Sequence, residues 1–243
     1  MRAYALILAR SGSKGVPDKN ISAVAGHPLL AYPIAFAKKI PVDRIIVTTD
    51  SARYRDIALR YGAECPYLRG AAAASDTAMD EDILADLAAN LPKLGIDLPE
   101  LWVRLKPTSP FQSVASVEAA LAALAGDGNL DSASVVSTAD ARLQTIGNEG
   151  FLKPLLPGWD AERSVMRRSE VPRAYKPFNL HVFRHAVWAA RGAAYMGRRI
   201  KPIVEHKITG LDIDDQDDFD LVKALIETQP RPGFLAPFIH DPA

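Results

Sequence analysis

Short apolar runs alternate with segments whose apolar residues recur every three or four positions, and the alternation holds through the first two-thirds of the chain. The changes of period predict strands at 3–9, 44–48, 101–105 and 133–137 and helices at 29–39, 51–61, 79–91 and 114–124. A strand followed by a helix, repeated, has few compact solutions, because parallel neighbours need crossover connections that cover both sheet faces. The expected fold is therefore α/β, with a mainly parallel, Rossmann-like sheet sandwiched by helices. In such sheets ligands bind beyond the carboxyl ends of the strands. The loops from Arg10, from Thr48-Thr49-Asp50 and from Lys106-Pro107-Thr108-Ser109-Pro110 should then converge on one site.

From 139 to 176 the alternation fails, and prolines, arginines and glycines take over. An excursion of that length points to an insertion with a job, either a lid over the site or a surface for a second subunit. Regular patterning resumes at 178–183 (strand), 186–190 (helix), 202–205 (strand) and 216–227 (helix). The proline-bearing tail from 230 reads as irregular. The chain thus parses as one domain over 1–229, with 139–177 inserted, followed by a tail over 230–243.

Composition narrows the function. Lys plus Arg and Asp plus Glu each number 29, so no global charge favours a nucleic acid or a membrane surface as partner. Cys65 is the single cysteine, which rules out an intrachain disulfide framework and a multi-cysteine zinc site and fits a reducing, cytoplasmic setting. It reads as a small core residue. No apolar run reaches the roughly 18 residues of a membrane span.

Two features carry chemistry. The first strand ends in Arg10-Ser11-Gly12-Ser13-Lys14-Gly15-Val16-Pro17-Asp18-Lys19-Asn20, a basic loop whose glycines let backbone N–H groups approach an anion. It lacks the GxxxxGK[ST] and GxGxxG spacings, so by itself it fits a polyphosphate cradle or a plain basic turn. The second feature is Gly210-Leu211-Asp212-Ile213-Asp214. Carboxylates at i and i+2 of an extended segment share a face, and two such groups can hold Mg2+ that keeps waters and substrate phosphates. The acids after them (Asp215, Asp217, Asp218, Asp220) read as the first turn of a helix. Arg69 with Ser75-Asp76-Thr77 could hold a base or ribose, or cap the helix near Met79. His181 and His185 straddle a predicted strand end and make a poor metal pair.

Taken in order, Leu8 to Asn20, Arg69 with Ala74-Ser75-Asp76-Thr77, Lys106 to Pro110 and Leu211 to Asp214 resemble the acylneuraminate cytidylyltransferases (CMP-sialic acid synthetases) across nearly the whole chain. The resemblance implies a homodimeric enzyme of the nucleotide-diphospho-sugar transferase type. Its partners would be CTP and a sialic-acid-like nonulosonic acid, which it would join as a CMP-sugar with release of pyrophosphate. It implies nucleotide contacts from Ala9, Arg10, Ser11, Gly12, Lys14, Asn20, Arg69, Ser75 and Asp76, and catalytic roles for Arg10, Lys14, Lys19, Asp212 and Asp214. Mg2+, replaceable by Mn2+, would sit on Asp212 and Asp214. Sugar contacts fall to Lys106, Thr108, Ser109, Arg168 and Lys176, the last two from the segment that crosses to the other subunit.

Departures gather on the sugar side. Lys106 stands where arginine or glutamine is usual, Gln144 replaces a lysine, Phe178-Asn179-Leu180 replaces Asn-Gly-Ala, and Arg198-Arg199 fall where sialate-using members carry an aromatic pair. Two arginines cannot form an apolar pocket for an N-acetyl group, so a nonulosonate other than N-acetylneuraminate is expected. A synthetase for Kdo, another sugar nucleotidyltransferase, or a non-catalytic nucleotide binder on the same fold stay open as alternatives.

Overall fold

The computed structural model describes residues 1–13, 15–75, 77–156 and 172–228, the side chains of Phe178 and Asn179 apart. Lys14, Asp76, Arg168 and the tail therefore lie outside the described residues.

The sheet has six strands: β1 (Ala3–Leu8), β4 (Arg44–Thr48), β5 (Leu101–Leu105), β6 (Ser132–Ala139), β9 (Ala174–Arg184) and β10 (Ile200–Glu205). Their order across the sheet is β10-β6-β9-β5-β1-β4. β1 pairs in parallel with β4 and β5, and β10 with β6, whereas β9 runs antiparallel between β5 and β6. The mainly parallel reading is thus correct, with one strand reversed. Strands β1 and β5 are buried almost throughout, as a sheet covered on both faces requires. Alternate residues feed two cores. Ala5, Ile7, Val103 and Leu105 pack with helices α1 (Ala31–Ala37) and α5 (Val114–Gly126), while Tyr4, Leu6, Trp102 and Phe183 pack with α4 (Asp80–Asn90).

Helix starts follow their caps. Ser51 accepts from the Tyr54 amide to open α2 (Ala52–Arg60), and Ser113 does the same for α5 through Ser116. α1 is shorter than the predicted 29–39, because the Leu29 and Leu30 amides donate to the carbonyls of Ser22 and Asn20 rather than entering the helix. Those bonds tie α1 to a small hairpin of β2 (Ala23–Val24) and β3 (His27–Pro28), too short to show as a sequence period.

The expectation of irregular structure from 139 to 176 needs correction at both ends. β7 (Gln144–Ile146) and β8 (Leu152–Pro154) form an antiparallel hairpin, and β9 starts at Ala174 rather than 178. Pro177 concealed that extension. It sits where the β6–β9 register shifts, the kind of place in a sheet where a missing N–H is tolerated. Leu143, Ile146, Phe151, Leu152 and Leu155, on or beside the hairpin, are all more than half exposed.

Candidate active site

Beyond the carboxyl ends of β1 and β5, on the face that carries α4, lies a crevice of about 360 Å³. Its lining joins Arg10, Ser13, Lys19 and Asn20 of the first loop, Arg69 and Ser75, Lys106 and Thr108 after β5, and Asp212 and Asp214. Four stretches far apart in sequence meet there.

The first loop is held from several sides. The Ser11 amide and hydroxyl donate to the two carboxylate oxygens of Asp50 at 2.8 and 2.6 Å, and these bonds hold Asp50 below the usual carboxylate range although burial works against them. Gly12 occupies the left-handed region at φ +71°, so the turn favours glycine there. Asn20 is buried, and its side-chain N–H donates to the Arg10 carbonyl at 2.9 Å. The Lys19 ammonium donates to the Ile213 carbonyl and, at 3.4 Å, to that of Asp214. A Cβ on Gly15 would run into the Asp214 carbonyl oxygen. Lys19 and Gly15 therefore clasp the basic loop to the two-aspartate segment.

That segment follows a short 3-10 turn, leaves it in extended backbone at Leu211, and does not join the sheet. Ile213 is fully buried in a third core with Val16, Phe111 and Phe219, which turns Asp212 and Asp214 the other way, as the i, i+2 spacing predicts. Residues of the Lys106-Pro107-Thr108-Ser109-Pro110 loop brace it. The Thr108 carbonyl accepts from the Ile213 amide at 3.0 Å, and the Ser109 hydroxyl donates to Asp212 Oδ1 at 3.0 Å. No group of three or more His, Cys, Asp or Glu residues placed to hold a metal occurs among the described residues. Two carboxylates facing a phosphate-sized, cation-lined space are the donor set suited to Mg2+, which leaves most of its positions to water and phosphate oxygens.

The crevice lining also includes Leu8, Ala73, Ala78 and Ile83 together with Arg69, Asp80 and Arg104. Arg69 is buried, donates through Nη1 to the Ala73 carbonyl at 3.1 Å, and leaves Nε and Nη2 without partners among the described residues; burial pushes its pKa down. It supports α3 (Ala71–Ala74) rather than capping the helix that starts at Asp80. Asp80 and Arg104 pair at 2.6 Å and were not among the sequence-derived candidates. Asp80 hid among the acids of a helix first turn, but Arg104, a charge at the fourth position of Leu101-Trp102-Val103-Arg104-Leu105, was a readable signal. Burial, then Arg104, lowers the Lys106 pKa. His181 accompanies them, bonded to the Ser134 hydroxyl at 3.1 Å, its pKa pushed down to about 4 by burial first and by Arg104 second.

Several candidates stand apart from the crevice lining. Ala9 is buried and donates its amide to the Thr48 carbonyl; Ser11 is turned to Asp50; Ser109 works from behind Asp212; Lys176 is exposed on β9. The Arg198 and Arg199 amides donate to Asp131 at the start of β10, and both residues are exposed.

A family model described as "Cytidylyltransferase" matches residues 4–229. The CMP-N,N'-diacetyllegionaminic acid synthase of Legionella pneumophila is 27% identical, over 93% of this chain and 97% of that protein. An N-acylneuraminate cytidylyltransferase of Escherichia coli is 28% identical over 95% of this chain but only 53% of its own length. Among solved structures, a CMP:2-keto-3-deoxy-manno-octonic acid synthetase complexed with CTP superposes with a TM-score of 0.69 at 16% identity, over 95% of this chain and all of that one, a likeness of fold.

Proposed function

The chain belongs to the cytidylyltransferase family, and from that premise we propose that it condenses CTP with a nonulosonic acid, using Mg2+ held by Asp212 and Asp214. The observation that carries this reading is the meeting of Asp212 and Asp214 with Arg10 and Lys106 across one crevice.

The acceptor's anomeric hydroxyl oxygen attacks the α-phosphorus of CTP in line; the new P–O bond forms as the bond to the β-phosphate breaks, the hydroxyl proton passes to solvent, and pyrophosphate leaves. Arg10 and the loop amides are the groups suited to hold the phosphoryl oxygens, with Lys14 as a further cation for the triphosphate and Lys106 facing the sugar acid. Bound Mg2+ would supply Lewis-acid neutralisation of charge on those oxygens. Lys19 acts through the segment it clasps, keeping the aspartates opposite the loop. Asn20 fixes the Arg10 backbone. A non-catalytic nucleotide binder has no use for a braced carboxylate pair beside the phosphates.

The acceptor is proposed to be a sialic-acid-like sugar other than N-acetylneuraminate. The legionaminic acid relative matches over 97% of its length, and the exposed Arg198-Arg199 pair offers no apolar wall. A second copy of the chain completes the sugar site in this reading, bringing Arg168 and Lys176 to the carboxylate, with residues 1–229 as one domain and 139–177 as its dimerisation insertion. The exposed apolar side chains around β7 and β8 support a homodimer. Among the described residues no helix is long and apolar enough to cross a membrane. The lone cysteine favours a cytoplasmic enzyme.

The test is pyrophosphate release with CTP and Mg2+ across diacetyllegionaminate, pseudaminate, N-acetylneuraminate and Kdo. The first should turn over best. Preference for Kdo, or for N-acetylneuraminate, would overturn the acceptor assignment.

A further inference from the structure

A loop that holds its shape before the ligand arrives binds more tightly, because ordering it on binding would consume part of the contact energy. The loop from Arg10 to Asn20 has a frame of that kind, and both of its ends rest on residues 50–54, where β4 runs into α2. At one end the Ser11 amide and hydroxyl donate to Asp50 at 2.8 and 2.6 Å. At the other, the buried Tyr54 donates its hydroxyl to Asp18 Oδ1 at 3.2 Å. Burial, then Asp18, pushes the Tyr54 pKa up, so the hydroxyl keeps the proton it donates. Arg53 also reaches Asp18 at 3.4 Å, but both partners are exposed and the pair adds little. The frame is itself fixed. The Ser51 amide donates to Thr49 Oγ1 at 3.2 Å, the Tyr54 amide to Ser51 Oγ at 3.4 Å, and the Thr49 carbonyl accepts from the Arg69 amide at 2.8 Å.

Two details argue that these bonds exist to shape the loop. Asp18 sits at φ +51°, in the left-handed region that a residue with a Cβ enters only at a cost, so its side-chain bond to Tyr54 holds a turn the backbone alone resists. That turn aims the next two residues, Lys19 at the aspartate segment and Asn20 at the Arg10 carbonyl. Asp50, for its part, is kept ionised by Ser11 beside a loop read as an anion cradle, where its charge alone would repel the ligand. A carboxylate in that place earns its keep by what it holds.

We infer that Asp50 and Tyr54 are positioning residues for the triphosphate, fixing the two ends of the Arg10–Asn20 loop in binding shape before the nucleotide arrives. Neither lines the crevice, and both act through the loop residues they hold.

The inference rests on the reading of this loop as the triphosphate holder, and inorganic tripolyphosphate tests the loop without base or sugar acid. The experiment is calorimetric titration of the full chain, with Mg2+, against tripolyphosphate and against CTP. Asp50→Ala should weaken both by about tenfold, whereas loss of a merely repulsive charge would tighten both. Asp50→Asn keeps an acceptor for the Ser11 amide and should bind within about threefold of the unaltered protein. Ser11→Ala should cost about threefold alone and nothing further in the Asp50→Ala background. Tyr54→Phe should cost about threefold and, in the ligand-free protein, speed hydrogen exchange at the amides of Ile21 and Ser22, which bond to the Asp18 and Lys19 carbonyls, while β1 stays protected. Unchanged or tighter binding by Asp50→Ala overturns the inference, as does a loss seen with CTP and not with tripolyphosphate, which would route the effect through Arg69. Unchanged exchange in Tyr54→Phe, a variant that removes one oxygen from a buried ring, overturns it independently of how Asp50→Ala folds. If the unaltered protein binds neither ligand, the loop loses its triphosphate role and the inference falls with it. Binding of both with the expected variant pattern, but no pyrophosphate release from any sugar acid, would strike the enzyme reading and leave the frame in place.

Discussion

Ser109 donates its hydroxyl to Asp212 Oδ1 at 3.0 Å, so the protein itself orients a carboxylate proposed to hold the metal. Ser109→Ala should lower kcat about tenfold, the usual worth of one hydrogen bond to a charged group, with the KM for CTP nearly unchanged. Asp212→Ala removes the ligand itself. There kcat should fall at least about 100-fold while the Kd for CTP, measured by titration, moves less than about tenfold. Near-normal pyrophosphate release by that variant would remove Asp212 from the mechanism. At this scale the sequence pointed to residues that line one crevice, but was a poorer guide to what each touches. Lys19 reads as one more phosphate cation, but its ammonium goes to the Ile213 and Asp214 carbonyls. Nothing in local spacing reveals a partner 194 residues away. Asp80 was masked by its neighbours, since an acid at a helix start has an ordinary dipole explanation.

Among the elements, β5 and β9 meet with Arg104 opposite His181. The buried imidazole, beside Arg104, Lys106 and Asp80 and bonded to Ser134, has a folded-state pKa of about 4 against an ordinary 6.5. The unfolded chain therefore binds a proton that the native chain refuses between those values. Stability from this residue is complete above about pH 6.5 and is lost as pH falls toward 4, by up to about 3 kcal/mol. Urea melts at pH 7 and pH 5 should show about 2 kcal/mol of that loss, and His181→Gln should flatten it; equal pH slopes in the two proteins would refute the assignment. The strands and helices feeding the site were legible because burial on both faces and amphipathic periods leave strong patterns. The β7–β8 hairpin and the start of β9 were not. Three-residue strands are too short for a period, and Pro177 argues against a strand unless a register shift is known to be there.

For the whole molecule, the hairpin poses the main question of assembly. Ile146 is 72% and Phe151 69% exposed, more than an isolated chain gains anything from displaying. Ile146→Asp with Phe151→Asp should convert the proposed dimer to a monomer in light scattering, with turnover falling because the partner's basic residues no longer reach the sugar. A double variant that stays dimeric would move the interface elsewhere.

The clasp of Gly15 and Lys19 on residues 213 and 214 also bears on how the protein is made. A ribosome delivers Lys19 194 residues before Ile213, so a nascent chain carries an incomplete site across that whole interval. A message truncated ahead of Asp212 would yield a product with the loop proposed to hold the triphosphate but neither carboxylate proposed to hold the metal, and such a product should not transfer nucleotide.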